Sequence, residues 1–222
     1  MTTLVFPLLL IGLADPPKSP PVEELAKERS PRAMVQALTA AIMRGDVKTF
    51  RAGFDLSTQK GRATADAMQT LPRFIGGCRR LVEAVEKKYG KPGLEAVDKT
   101  LKVPLVGIDE KLVRQSVEKV KVYIAEDGQT ALVGDIKVSV GSAIIWGDGK
   151  TQLERKDGRW FIAPAEELEA VEQTAALYEA LIVSRCKRAT ELVRESKSLA
   201  ELQQALEALE KGLTPKPIKT SK

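Results

Sequence analysis

A chain of 222 residues, 43% hydrophobic and 29% charged, can bury one full core plus an appendage, which points to one domain with a helical extension. It has no histidine, so Ser-His-Asp and Cys-His catalysis and ordinary zinc chemistry are excluded, and acid–base work would fall to a carboxylate, Lys or Tyr. Lys and Arg number 35 against 30 Asp and Glu, for a net charge of +5, but acids alternate with the bases and no aromatic-interleaved basic stripe occurs, so nucleic acid is not an expected partner.

Residues 4–13 are almost wholly apolar and end in Gly12-Leu13-Ala14 before Asp15-Pro16-Pro17, the length and terminal small residues of an export signal whose only positive charge is the amino terminus. The run is too short to span a bilayer comfortably. Cleavage near Ala14 would leave a periplasmic or secreted chain with no membrane span, starting in a Pro-rich tether and a short helix over residues 15–29.

Ser30-Pro31 then sets an N-cap and a first-turn proline, Met34, Ala37, Leu38, Ala41 and Ile42 recur at helical spacing, and Gly45 is placed to end the helix. Asp46 caps a short helix carrying Val47, Phe50 and Phe54. Residues 58–89 read as a longer helical region bent near Pro72, with Phe74, Ile75, Cys78, Leu81, Val82, Val85 and Tyr89 on one stripe. Lys91-Pro92-Gly93 breaks that pattern; a helix over residues 94–101 and another capped by Asp109 follow.

Between residues 117 and 164 the period changes to two, punctuated by Asp127-Gly128, Asp148-Gly149 and Asp157-Gly158, which predicts consecutive antiparallel hairpins in one curved sheet. A three-residue loop at residues 126–128 places Val120, Val122 and Ile124 on the same side as Leu132, Gly134, Ile136, Val138 and Val140. Residues 143–146 are expected to turn at residues 147–149 into residues 151–156, and a two-residue loop at Asp157-Gly158 sets Leu153 opposite Ile162 with Trp160 on the same face. From Pro164 the period is helical again: Leu168, Val171, Ala175, Tyr178, Ile182, Cys186, Ala189 and Val193 line a helix of some thirty residues. Ser198-Leu199-Ala200-Glu201 is a capping box for a second helix with Leu199, Leu202, Leu206 and Leu209 on its seam, the two making a hairpin that occupies residues 164–212 ahead of a basic tail, 213–222, expected to be disordered. The hairpin must bury its seam within its own domain or on a second subunit, so a homodimer is compatible with the pattern.

The Pro-started helix ending in Arg44-Gly45-Asp46, the helical layer after it, and strands containing Thr130-Ala131-Leu132-Val133 and residues 153–162 with Asp157-Gly158-Arg159-Trp160 together resemble the nuclear transport factor 2-like superfamily, and within it bacterial exported members of unknown function. The likeness spans residues 30–163. It implies an α+β domain with helices packed on a curved antiparallel sheet, a cystatin-like cone used for small-molecule chemistry or for partner binding. The C-terminal hairpin departs from the minimal pattern of that family.

Enzymes of that superfamily use a strand carboxylate with a Tyr or second acid. Asp135 with Tyr123 on the neighbouring strand is the matching pair here, although the register above turns both away from the apolar face and sets Asp135 opposite Lys119, where a surface ion pair accounts for it. Trp146 beside Gly147 suits a pocket rim, and Tyr89 ends the long helical stripe. Trp146, Tyr89, Tyr123 and Asp135 are therefore the candidate ligand contacts; no catalytic residue, metal ligand or cofactor is assigned. Cys78 and Cys186 fall on apolar helical stripes, as small buried hydrophobes do, and in an oxidising compartment could form one bridge. Arg185, Lys187, Arg188 and Arg194 are interleaved with Glu191 and Glu195 at pairing distances along a solvated helix face. The expected function is a non-catalytic binding or assembly module for a small apolar ligand or a protein partner. The alternative is a lyase or isomerase of the polyketide cyclase or ketosteroid isomerase type using a buried carboxylate.

Overall fold

The computed structural model describes residues 30–101, 113, 115, 117–134, 138–140, 143–146 and 151–212. The expected signal, tether and first short helix, the residues around Asp109, Asp135 and the basic tail lie outside them. Helix α1 (Pro31–Arg44) starts where the sequence caps it, with the Ser30 hydroxyl accepting from Ala33 N. It ends in a Schellman arrangement: Gly45 at φ 69° donates to Ile42 O and Asp46 N to Ala41 O, both at 2.9 Å. Gly45 serves a second purpose, since a Cβ there would come within 2.6 Å of Gly76 Cα, so the end of α1 sits backbone to backbone on the long helix.

Asp46 caps α2 (Val47–Arg51) through Thr49 N at 3.0 Å, and buried Phe50 meets Phe54 edge to face with ring centroids 5.4 Å apart. Thr58 caps α3 (Gln59–Met68). The expected bend near Pro72 is a full break, at Gln69, so that α4 (Thr70–Leu101) holds Pro72 in its first turn, where a missing N–H costs nothing. A second interruption, at Gly90 (φ 62°, ψ −153°) just before Pro92, divides α4 where the sequence pattern breaks.

The sheet corrects two expectations. Strands β1 (Lys121–Ile124) and β2 (Thr130–Gly134) pair Val122 with Val133 and Tyr123 with Leu132, one residue away from the three-residue-loop register. The loop has four residues: Ala125 N donates to Thr130 O, Gly128 N to Ala125 O, and Gln129 N to Asp127 Oδ1. Ala131 and Val133 therefore face the core and Leu132 faces solvent. With apolar residues on both parities of 130–134, the pattern alone could not choose between these faces.

The second correction is topological. Strand β3 (Val138–Val140) pairs with β4 (Ala143–Trp146), while β5 (Thr151–Lys156) pairs with β2, so residues 143–146 and 151–156 do not form a hairpin with each other about Asp148-Gly149. Among the described residues β3 and β4 make a two-stranded sheet of their own, with Val138 opposite Trp146 and a shift of register between Val138 and Ser139, whereas Val133 of β2 opposes Thr151 of β5. Val140 pairs with Ala143, and the two residues between them lie outside the described residues. Strand β6 (Arg159–Ile162) completes a four-stranded antiparallel sheet of order β1-β2-β5-β6, with Leu153 opposite Ile162 as expected and Trp160 buried on the same face.

After Pro164 the chain is held to α3 by Ala165 N donating to Thr64 Oγ1, then runs as α5 (Leu168–Tyr178), a π-helical turn (Glu179–Val183) and α6 (Ser184–Glu195). Helix α7 (Leu199–Glu210) begins at the predicted Ser198 cap, and Glu201 reaches back to Lys197 N. Both α6 and α7 pack on α4. Cys186, Ala189, Leu192, Val193, Leu202 and Leu206 join Leu38, Ile42, Ile75, Leu81, Leu153 and Trp160 in one buried cluster, so this seam is covered within the chain by the long helix rather than by the sheet. Each fully buried Leu of that seam contributes about 1.5–3 kcal/mol. Arg188 pairs with Glu191 and Glu195 along α6 as the spacing suggested.

Candidate functional site

The residues singled out in the sequence lie in different layers. Tyr89, in the helical layer, donates its hydroxyl to Ser196 O at 2.8 Å, with Ser198 O at 3.3 Å, while Lys88 Nζ donates to Val193 O at 2.8 Å, Arg194 O at 2.9 Å and Ser196 O. The Val193, Arg194 and Ser196 carbonyls close α6, where the last turn lacks intrahelical donors, so the pair acts as a non-local C-cap and ties α4 to the α6–α7 connection. Burial first and the charge of Glu201 second push the Tyr89 hydroxyl upward in pKa, which keeps it a donor. Trp146 occupies β4 opposite Val138, and Asp135 is outside the described residues.

Tyr123 lies on the sheet face turned away from the core. It is 50% exposed and directly opposite Leu132, itself 46% exposed, and Ile124 at the end of β1 is 55% exposed. A solvent-facing sheet face usually carries polar residues; here it carries an opposed aromatic–aliphatic pair, each about half exposed. Among the described residues β1 is an outer strand of its sheet. Because Ala125 and Thr130 form a hydrogen-bonded pair, antiparallel alternation makes Tyr123–Leu132 the next such pair and turns the backbone N–H and C=O of Val122 and Ile124 away from β2. The surface thus offers main-chain donors and acceptors alongside apolar side chains. Local pattern missed it because Leu132 read as a core residue until the loop length was known, while Ile124, opposite core-facing Ala131, is exposed by its place at the end of an outer strand.

A separate open groove of about 400 Å³ runs between the second half of α4 and α7, lined by Ala96, Lys99, Thr100, Gln203, Glu207 and Lys211 among others. Its wall is reinforced by Arg185–Glu210 at 3.3 Å. Among the described residues no group of three His, Cys, Asp or Glu side chains could hold a metal ion, and no helix is long and apolar enough to cross a membrane. Among the described residues the buried polar side chains are hydroxyls; Thr39 and Thr190 donate to carbonyls four residues back, and Thr64 accepts from Ala165 N. No protein-family model, curated protein or solved structure matches the chain.

Proposed function

We propose that the chain is an exported, non-catalytic binding or assembly module that takes an extended segment of another protein along β1. The observation that carries this reading is the Tyr123–Leu132 pair beside an outer strand whose Val122 and Ile124 backbone groups point outward. Strand addition at such an edge supplies backbone hydrogen bonds, and the exposed apolar pair supplies contact area for alternate side chains of the incoming segment. The wider reading is a nuclear transport factor 2-like cone, with the sheet and α1–α4 as its walls and α6–α7 as a helical hairpin added behind α4; the capped Pro31 helix, the Asp157-Gly158 hairpin and the helix-covered antiparallel sheet support it. Export rests on the apolar run ending at Ala14.

Native mass spectrometry of the full chain, isolated under non-denaturing conditions from its own host, tests the reading. A retained polypeptide is expected, lost in a Tyr123→Lys, Leu132→Lys double variant that still unfolds cooperatively. Ile124→Pro sharpens the result, because it deletes an N–H directed away from β2 and leaves the β1–β2 ladder its own bonds. Retention of a small molecule that is indifferent to all three substitutions would overturn the proposal.

A further inference from the structure

The two cysteines of the chain, 108 residues apart in sequence, face each other across the α4–α6 contact with their sulfurs 3.6 Å apart, each thiol only 1% exposed. Gly77 adjoins the pair: a Cβ there would lie 3.4 Å from Cys186 Cβ, in van der Waals contact with the partner helix at this point. From here α4 continues to Lys88 and Tyr89, which hold the far end of α6, so the same two helices are clamped at both ends of their contact.

We infer that Cys78 and Cys186 form a structural disulfide that covalently staples the C-terminal helices to α4. The separation needed is about 2.05 Å between sulfurs, and side-chain rotation with a slight closing of the helix pair accounts for the remaining distance. With nearly complete burial in the native fold, the bond forms as the chain folds and persists once the core closes around it. Because both thiols are sealed in the closed core, the exchange takes place before the two helices meet, and either cysteine can react first.

The oxidant is a low-molecular-weight or protein disulfide. The thiolate of one cysteine attacks one sulfur of that disulfide, forming a mixed disulfide and expelling one thiolate. The second cysteine then loses its proton and attacks the first cysteine's sulfur, the mixed S–S bond breaks, and the second oxidant thiol leaves. Two cysteine thiols are thereby oxidised, losing two protons and two electrons, and the oxidant disulfide is reduced to two thiols.

The test is refolding of the full chain from denaturant in a glutathione disulfide and glutathione buffer, followed by acid quench, alkylation in denaturant and intact-mass measurement. It does not depend on where the protein resides or on what it binds. The expected product is a monomer 2 mass units lighter than the reduced chain, with no alkylated thiol, and with a melting temperature about 5–15 °C above that of the same protein kept in dithiothreitol. Each single variant, Cys78→Ser and Cys186→Ser, should show neither the bridge nor the redox-dependent shift. Two alkylatable thiols after refolding, or a bridge that joins two chains, or an intrachain bridge that leaves or lowers the melting temperature, would overturn the staple.

Discussion

The Asp127-Gly128 and Asp157-Gly158 dipeptides connect neighbouring pairs of strands in one sheet, yet they build different turns. At Asp157-Gly158 both residues are left-handed, φ 50° and 77°, and the loop is two residues long. At Asp127-Gly128 only the glycine is left-handed, at φ 65°, the Asp127 carboxylate accepts from Gln129 N at 2.8 Å, and the loop has four residues. A turn dipeptide announces a reversal but leaves its length open, and one residue of length exchanges the buried face for the exposed one. The two turns differ also in their anchorage. Lys156, the last residue before the tight turn, reaches Asp55 Oδ2 at 2.6 Å and Ser57 Oγ at 3.2 Å, so the tip of β5–β6 is pinned to the segment after α2. That segment also meets β6 directly, through Ile162 N donating to Gly53 O at 2.8 Å.

The sharpest way to break this comparison is to delete side chains on either parity. Trp160→Ala and Leu153→Ala, on the buried face of the tight hairpin, should cost about 3–5 and 2–5 kcal/mol in denaturant unfolding, while Leu132→Ala, on the solvent face of the longer one, should stay within about 0.5 kcal/mol. A large cost at Leu132 would restore the three-residue loop. Of intermediate size is the backbone effect. Both left-handed glycines have open space where a Cβ would go, so Gly158→Ala and Gly128→Ala should each cost about 1–2 kcal/mol through conformation alone. The turns then part at their aspartates: Asp157→Ala places a residue without a polar side chain at positive φ and should add to that cost, whereas Asp127→Ala loses a single exposed hydrogen bond. Equal effects at the two aspartates would mean that the turns are of one type.

The smallest effect is one of pH. The Lys156 ammonium, and after it the Ser57 hydroxyl, hold the Asp55 carboxyl at about 2, below its ordinary 3.8. A carboxyl depressed in the folded state adds stability that is fully present above its unfolded pKa and is lost as pH falls through the folded one. The stability advantage of the wild type over Asp55→Asn should therefore be constant above about pH 5 and fade between about pH 4 and 2. An advantage that persists unchanged at pH 2 would show that Asp55 acts by shape and not by charge.

Where structure is written in neighbouring residues, the sequence was sufficient. Ser30, Asp46 and Ser198 each cap their own helix within three residues, and Phe74, Ile75, Cys78, Leu81 and Val85 are buried along one helix face. The Asp157-Gly158 loop belongs with these, since its register follows from two adjacent dihedral preferences. What could not be read is whatever depends on which distant segment arrives opposite. The pairing of β5 with β2, the docking of the α6 and α7 seams on α4, the capping of α6 by Lys88 and Tyr89, and the meeting of Cys78 with Cys186 all join residues far apart in sequence, while the outward turn of Leu132 hangs on a loop length that the pattern left open. Apolar periodicity states that a face must be covered and says nothing of the cover. Only packing selects it, because every compatible stripe in the chain satisfies the same hydrophobic requirement until volume, loop length and backbone hydrogen bonding are met together.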